Sequence, residues 1–160
     1  MLQVIIRVSL ILVSVLSAFF IPKKSLVKYL PVTLFSSTTL LAEILYFTTH
    51  KMWTVKNAQK EMTSTALSLV LGPYFFSNLW IFHLSKGKFF RYSLFNIIAD
   101  FIYAYPIISL FKRLNFFKLK VSPFQFFLLI FANANINFAF QKFYEKFTVF
   151  GKQKMHETAV

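Results

Sequence analysis

The stretch FANANINFAF, at residues 131–140, places three asparagines inside one of the most apolar parts of the chain. Apolar side chains, mainly phenylalanine, leucine, isoleucine and alanine, surround Asn133, Asn135 and Asn137. An amide is costly to bury in apolar surroundings unless it is hydrogen-bonded. The stretch therefore indicates a helix that carries polar groups into an otherwise apolar interior, and the partners of these amides become the central question.

The composition predicts a membrane protein. Of the 160 residues, 57% are hydrophobic, 20% are aromatic and only 14% are charged, whereas a soluble domain averages about 25% charged residues. A soluble α-domain with an unusually apolar core is the alternative, but too little polar surface remains to cover such a core. There is no cysteine, so disulfides and cysteine-ligated metals are excluded.

The net charge of +13 is high enough to raise the question of a nucleic-acid partner. Its distribution argues against one, because the basic residues stand in groups of three or four between apolar segments rather than on one face. Short lysine clusters that flank apolar spans suit anionic lipid headgroups and membrane-topology signals. We therefore expect a lipid bilayer with anionic headgroups as the partner.

Five segments approach the roughly 17–25 apolar residues that a spanning helix needs. Spans 1 to 5 are predicted at residues 2–21, 30–49, 62–84, 93–111 and 124–141, which together form one transmembrane domain at 1–141, followed by a basic polar tail at 142–160. Span 1 also has the length of a signal peptide. However, residues 15–20 offer no small-x-small cleavage site and lysines follow at once, so we expect a retained helix.

Prolines are expected to mark three of the spans. Gly72 and Pro73 fall in the middle of span 3, where Pro73 leaves the carbonyl of Leu69 without its helical donor and predicts a kink. Pro106 lies in the second half of span 4. Pro31 is predicted in the first turn of span 2, where its missing N–H costs nothing.

Five spans put the two termini on opposite sides of the membrane. We call side A the side with the tail and the loops after spans 1 and 3, and side B the other. Basic residues are divided almost evenly between the sides, but Lys23, Lys24 and Lys28 after span 1 favour a cytoplasmic C-terminus. Aromatic residues near the span ends predict interfacial belts; they include Tyr29, Trp53, Trp80 and Tyr92.

Spans 3, 4 and 5 each place polar side chains in the half of the membrane nearest side A, at about 1.5 Å of rise per residue. The set is Asp100, Asn96, Asn78, Asn133 and Asn137. Asn133 and Asn137 are four residues apart and share a helix face. We expect the asparagines of span 5 to face the bundle interior and to hydrogen-bond to Asp100, Asn96 or Asn78, which would fix the helices that meet. The alternatives are a functional polar site and amides that bond only to neighbouring backbone.

A second pair of polar residues lies nearer side B. Arg7 in span 1 and Glu43 in span 2 are each about five residues from that end of their spans. Two antiparallel spans with a short loop are expected to be neighbours, and pairing the charges would lower the cost of keeping them in lipid. The alternative is an Arg7 that extends to the interface alone and a protonated Glu43.

No motif for catalysis is present. The chain lacks a P-loop, GxSxG and HExxH, and its three histidines, His50, His83 and His156, are scattered. We identify no catalytic residue, metal site or cofactor in the sequence, which favours a role other than catalysis.

The stretch LGPYFFSNLWIFHLSKGKFFRYSLFNIIADFIYAYP, at residues 71–106, joins a Gly-Pro, an LWIFHL run, a Gly-Lys and an aspartate followed by an aromatic and proline. This pattern, together with YLPVTLFSS at residues 29–37, resembles small, uncharacterised multi-spanning membrane proteins of Bacillus-like Gram-positive bacteria. The resemblance covers about half of the chain. It implies a bacterial plasma-membrane protein and supplies no activity.

Taken together, the sequence predicts an all-α polytopic helix bundle with five transmembrane helices. A structural or regulatory protein that binds another membrane protein, or itself, is the first functional interpretation. The alternative is a small transporter or channel in which Asp100 is an intramembrane protonatable site, flanked by the helix breaks at Gly72, Pro73 and Pro106.

Overall fold

The computed structural model describes residues 2–54, 59–114 and 118–157, so residues 158–160 of the predicted tail lie outside it. Five helical rods follow one another along the chain, and the predicted all-α fold class is confirmed. In chain order their parts are α1 (Leu2–Ala18), α2 (Lys23–Thr49), α3 (Gln59–Leu69) joined by the π-helical turn Val70–Tyr74 to α4 (Phe75–Ser85), α5 (Phe89–Ile102) joined by the π-helical turn Tyr103–Ile107 to α6 (Ile108–Arg113), and α7 (Pro123–Glu157).

Four of these rods are long and apolar enough to cross a membrane: Lys23–Thr49, Met62–Ser85, Phe89–Arg113 and Pro123–Thr148. A shorter apolar helix occupies Val4–Ala18. Many large apolar side chains point outward, and Phe19, Phe90 and Val27 are more than 70% exposed. Such extensive apolar exposure is rare in soluble monomers and suits contact with lipid, so the chain is a multi-pass membrane protein.

Several predicted boundaries differ from the structure: α1 ends at Ala18 and not at residue 21, and α5 begins at Phe89 and not at residue 93. The second rod begins at Lys23, because the chain turns into helix directly after Pro22, whose carbonyl accepts hydrogen bonds from the backbone N–H groups of Ser25 and Leu26. Pro31 consequently lies inside α2 and not in its first turn. The fifth rod does not end at Gln141 but continues to Glu157.

Pro73 and Pro106 coincide with breaks in regular α-helix, whereas α2 stays regular at Pro31. The turn that contains Pro73 is π-helical, and Gly72 within it has φ −96° and ψ −108°, outside the helical range. The turn that contains Pro106 is π-helical as well. A proline ring displaces the carbonyl four residues earlier and removes one hydrogen bond, and a wider turn accommodates that displacement.

The four long rods form a closed ring. α2 packs against α4 and α7, and α5 packs against the same two helices, so α2 and α5 face each other diagonally. α1 lies outside this ring and packs mainly against α3, α4 and the π turn between them. At side B the loops after α2 and α6 meet in a short antiparallel pair, with Trp53 opposite Leu119 and Thr54 opposite Lys118.

Two apolar clusters fill the ring near its ends. The side-A cluster contains Ile21, Tyr29, Val32, Leu79, Phe82, Tyr92, Ala134 and Phe138. The side-B cluster contains Trp53, Ala66, Leu69, Ile108, Phe111 and Leu119. Three of the aromatics predicted for interfacial belts, Tyr29, Trp53 and Tyr92, are therefore buried in these clusters, because the helices continue beyond the predicted span ends or the loop folds back onto them.

The side-A cluster generates a stability prediction. Phe82 is fully buried and lies 4.6 Å from the ring of Tyr92, so Phe82→Ala removes packing that lipid cannot replace. We expect a loss of about 3 kcal/mol in unfolding free energy, measured by thermal or denaturant unfolding in detergent. Phe90→Ala is the matched control, because Phe90 is 80% exposed. Equal effects of the two substitutions would contradict the packing described.

Candidate functional site

One face of α7 carries a polar stripe through the bundle. Asn133, Asn137, Gln141 and Glu145 follow one another at intervals of four residues, which keeps them on one side of a helix. The first three are at most 6% exposed. The asparagines quoted at the outset thus face the bundle interior, except Asn135, whose amide bonds back to the carbonyl of Phe131 in its own helix.

The stripe meets α2 at three levels. Asn133 Nδ2 donates to both carboxylate oxygens of Glu43, at 2.8 Å each. Asn137 Nδ2 donates to Ser36 Oγ at 2.7 Å. Near side A, Lys28 Nζ lies 3.1 Å from Glu145 Oε1. Residue numbers rise along α2 while they fall along α7, so these contacts fix an antiparallel register between the two helices.

The first π turn brings Tyr74 into the same region. The Tyr74 hydroxyl and Ser36 Oγ are 2.7 Å apart, and the hydroxyl also interacts with the side chains of Asn137 and Asn78 and with the charge of Glu43. Asn78 Nδ2 donates to the Tyr74 carbonyl at 3.1 Å. Because Tyr74 directly follows Pro73, the wider turn positions this hydroxyl at the centre of the ring.

A second polar stripe runs along α5. Tyr92, Asn96 and Asp100 are spaced by four residues. The Tyr92 hydroxyl donates to the carbonyl of Ala134 at 3.0 Å, and Asn96 Nδ2 donates to the Tyr92 carbonyl at 2.8 Å. Asp100 Oδ2 is buried and receives no hydrogen bond from any residue that the structure describes. A buried acceptor without a donor is expensive. Other buried atoms without a partner among the described residues are Ser37 Oγ, Thr65 Oγ1 and Gln141 Oε1, but in this set only Asp100 carries a carboxyl group.

These side chains together make up what we call the polar layer. It lies between the side-A and side-B clusters, and all four long rods contribute side chains to it. Its members are Ser36, Glu43, Tyr74, Asn78, Asn96, Asp100, Asn133 and Asn137. The layer contains two carboxyl groups, and the apolar clusters separate it from both ends of the bundle.

The partners of the two asparagines differ from the prediction. We expected Asn133 and Asn137 to bond to Asp100, Asn96 or Asn78, and they bond instead to Glu43 and Ser36 on α2. The reason is the length of α7. Because the helix continues past Gln141, Asn133 lies deeper than a span ending there would place it, and comes level with Glu43.

The predicted pairing of Arg7 with Glu43 is likewise replaced. α1 packs mainly on the third rod, so the short connecting loop does not make α2 its main neighbour. Among the described residues, the hydrogen bonds to Glu43 come from Asn133. Arg7 is 7% exposed and has an interaction of its own.

A separate groove lies outside the ring, between α1 and α4. It has a volume of about 350 Å³ and is lined in part by Ser9, Ser14, Ser17, Ser77 and Trp80. Ser14 and Ser17 donate to carbonyls of their own helix, and Trp80 Nε1 lies 3.4 Å from Ser17 Oγ. Ser9 and Ser77 are exposed in the groove wall.

Sequence reasoning missed Ser36, Tyr74 and Gln141. A signal for Gln141 was present, since it continues the four-residue spacing of Asn133 and Asn137. Ser36 and Tyr74 had no such signal, because their role depends on which helices meet. Within the described residues, no three or more His, Cys, Asp or Glu side chains group in a way that could hold a metal ion.

The contact between Asn133 and Glu43 yields a second prediction. Asn133→Leu leaves the carboxyl group without its donors, and we expect a loss of about 1–2 kcal/mol in unfolding free energy, measured in detergent. Asn135→Leu is the control, because Asn135 bonds only within its own helix, and its effect should stay within about 0.5 kcal/mol. A larger loss at Asn135 than at Asn133 would contradict the assignment.

Comparisons of the chain with protein-family profiles, with curated proteins and with solved structures found no match. The class of the protein accordingly rests on its own helices, which are those of an all-α, multi-pass membrane protein.

Proposed function

We propose that this membrane protein binds and translocates a small cation at the polar layer, with Asp100 as the binding group. The observation that carries the proposal is the buried Asp100 Oδ2, which no described residue supplies with a hydrogen bond. An ionisable side chain in a membrane interior is retained for a functional reason by default. A carboxyl group that does not hold the bundle together is available to a cation.

The helix breaks support this interpretation. Transporters build sites near the bilayer midplane from interrupted helices, and here π turns interrupt the third and fourth rods. Tyr103, in the second of these turns, is close enough to Tyr74, in the first, to interact electrostatically. Both turns therefore adjoin the polar layer in which Asp100 lies.

The apolar clusters favour alternating access over an open pore. Val32, Leu79 and Phe82 are fully buried on the side-A face of the layer, and Leu69, Ile108 and Phe111 fill the side-B face. A cation would reach Asp100 only after the packing of one cluster loosens. The π turns offer the places at which the third and fourth rods could bend.

The proposal predicts ion flux. Purified protein in vesicles of mixed neutral and anionic lipid should carry a cation current, tested separately for protons, sodium and potassium with an imposed gradient. Asp100→Asn should reduce that flux to the level of empty vesicles, because the amide cannot be ionised. Asn135→Gln serves as the control and should keep the wild-type flux.

Unfolding of the same Asp100→Asn protein completes the test. Because no described hydrogen bond uses the Asp100 carboxyl group, Asp100→Asn should leave the unfolding midpoint unchanged or raise it. A clear loss of stability together with an absence of flux in the wild type would contradict the proposal and favour a structural role for Asp100.

The second candidate is a structural or regulatory protein that binds another membrane protein or a second copy of itself. The groove between α1 and α4 favours it, because small residues such as Ser9, Ser17 and Ser77 allow helices to approach closely in lipid. Filling the groove with Ser77→Phe should release a partner that co-purifies stoichiometrically in mild detergent. Retention of that partner by the variant would argue against this groove.

For its location, we propose a bacterial plasma membrane with the C-terminus in the cytoplasm. The resemblance at residues 71–106 and the lysines that follow α1 support this placement. Exposed lysines such as Lys23 and Lys24 would lie among anionic headgroups.

A further inference from the structure

Glu43 is a second intramembrane carboxyl group that the proposed function does not use. It is partly buried in α2, and both of its oxygens accept from the single amide of Asn133 at 2.8 Å. Tyr74, on the third rod, is a titratable neighbour that interacts with it electrostatically. The ion pairs between described residues join Glu145 to lysines and do not include Glu43.

The chemistry around Glu43 suits a proton better than a metal cation. Because a carboxylate can only accept hydrogen bonds, Asn133 must present its N–H2 group, and not its carbonyl, to Glu43. A metal cation needs several oxygen ligands turned towards it, whereas this amide turns donors towards the carboxylate. A proton needs only one lone pair of one carboxylate oxygen.

Two hydroxyl groups of the polar layer, those of Tyr74 and Ser36, can pass a proton between them. Tyr74 and Ser36 share a hydrogen bond of 2.7 Å in which either hydroxyl can donate. A hydroxyl accepts a proton on an oxygen lone pair while it releases its own, so its composition is unchanged after the transfer. Tyr74 interacts electrostatically with Glu43 and with Tyr92 of α5, whereas Ser36 lies about two helical turns from Glu43 along α2.

We propose that the transported cation is the proton and that Glu43 is its second binding group in the polar layer. The inference rests on the proposed function of Asp100. In the transfer, an O–H bond of hydronium or of the protonated Asp100 carboxyl group breaks and an O–H bond forms on a Glu43 oxygen. Hydronium is left as water, or Asp100 is left as the carboxylate. Tyr74 is a positioning residue, because its hydroxyl holds Ser36, which accepts from Asn137, one helical turn from the Asn133 that binds Glu43.

The test combines infrared difference spectroscopy with proton flux. The chain has only five acidic residues, so the bands of protonated carboxyl groups can be assigned by single substitutions. Between alkaline and acidic buffer the wild type should show two protonated carboxyl bands from the interior. Glu43→Gln should remove one band and Asp100→Asn the other. The amide carbonyl that the first substitution introduces can still accept from Asn133, so that variant should remain folded.

Flux through the same proteins gives the second readout. Glu43→Gln should abolish proton flux in vesicles with a pH-sensitive dye inside, and Tyr74→Phe should lower it without removing either carboxyl band. Tyr105→Phe is the matched control, because Tyr105 stacks on Phe101 and none of the described hydrogen bonds uses its hydroxyl; its flux should equal the wild type.

The outcomes separate the two proposals. If Asp100→Asn stops the flux but Glu43→Gln does not, the inference is overturned and the proposed function stands. If the wild type conducts sodium or potassium but not protons, the choice of the proton is wrong. If there is no flux and no carboxyl band that depends on Glu43, both proposals fail.

Discussion

The hydrogen bonds between Asn133 and Glu43 are the contact on which the rest of the arrangement depends. In lipid, polar side chains cannot turn to water, so they must be satisfied inside the protein. Packing of apolar side chains alone would let α2 and α7 slide, because lipid tails are as apolar as leucine. The hydrogen bonds between the Glu43 carboxyl group and the Asn133 amide define a single register of α2 against α7. The hydrogen bond between Ser36 and Asn137 is consistent with the same register.

That register explains why a polar layer lies at the centre of the ring and apolar clusters lie on both sides of it. Once α2 and α7 are aligned, Tyr74 reaches Ser36 and Tyr92 reaches the backbone of α7. Asp100 shares the layer without sharing its hydrogen bonds. The hydrogen bonds of the polar layer hold the bundle together, but the Asp100 carboxyl group takes no part in them. This difference is the basis of the proposed function.

Much of the fold could be predicted from the sequence because bilayer thickness and hydropathy act locally along the chain. The spans and the break at Pro73 needed no knowledge of the partners, and the four-residue spacing of Asn133 and Asn137 was enough to put both on one face. Their partners could not be predicted, since these depend on the order of helices around the ring. Arg7 illustrates the difference: a short loop suggested that α1 and α2 are neighbours, whereas α1 packs mainly on the third rod.

The most direct test of this account is a double-mutant cycle between Glu43 and Asn133. Unfolding free energies in detergent would be compared for the wild type, Glu43→Leu, Asn133→Leu and the double variant. We predict a coupling energy of about 1–1.5 kcal/mol, near the upper end for interhelical hydrogen bonds in membranes. Single effects that simply add, to within about 0.3–0.5 kcal/mol, would show that the contact does not hold the two helices in register and would contradict the central claim.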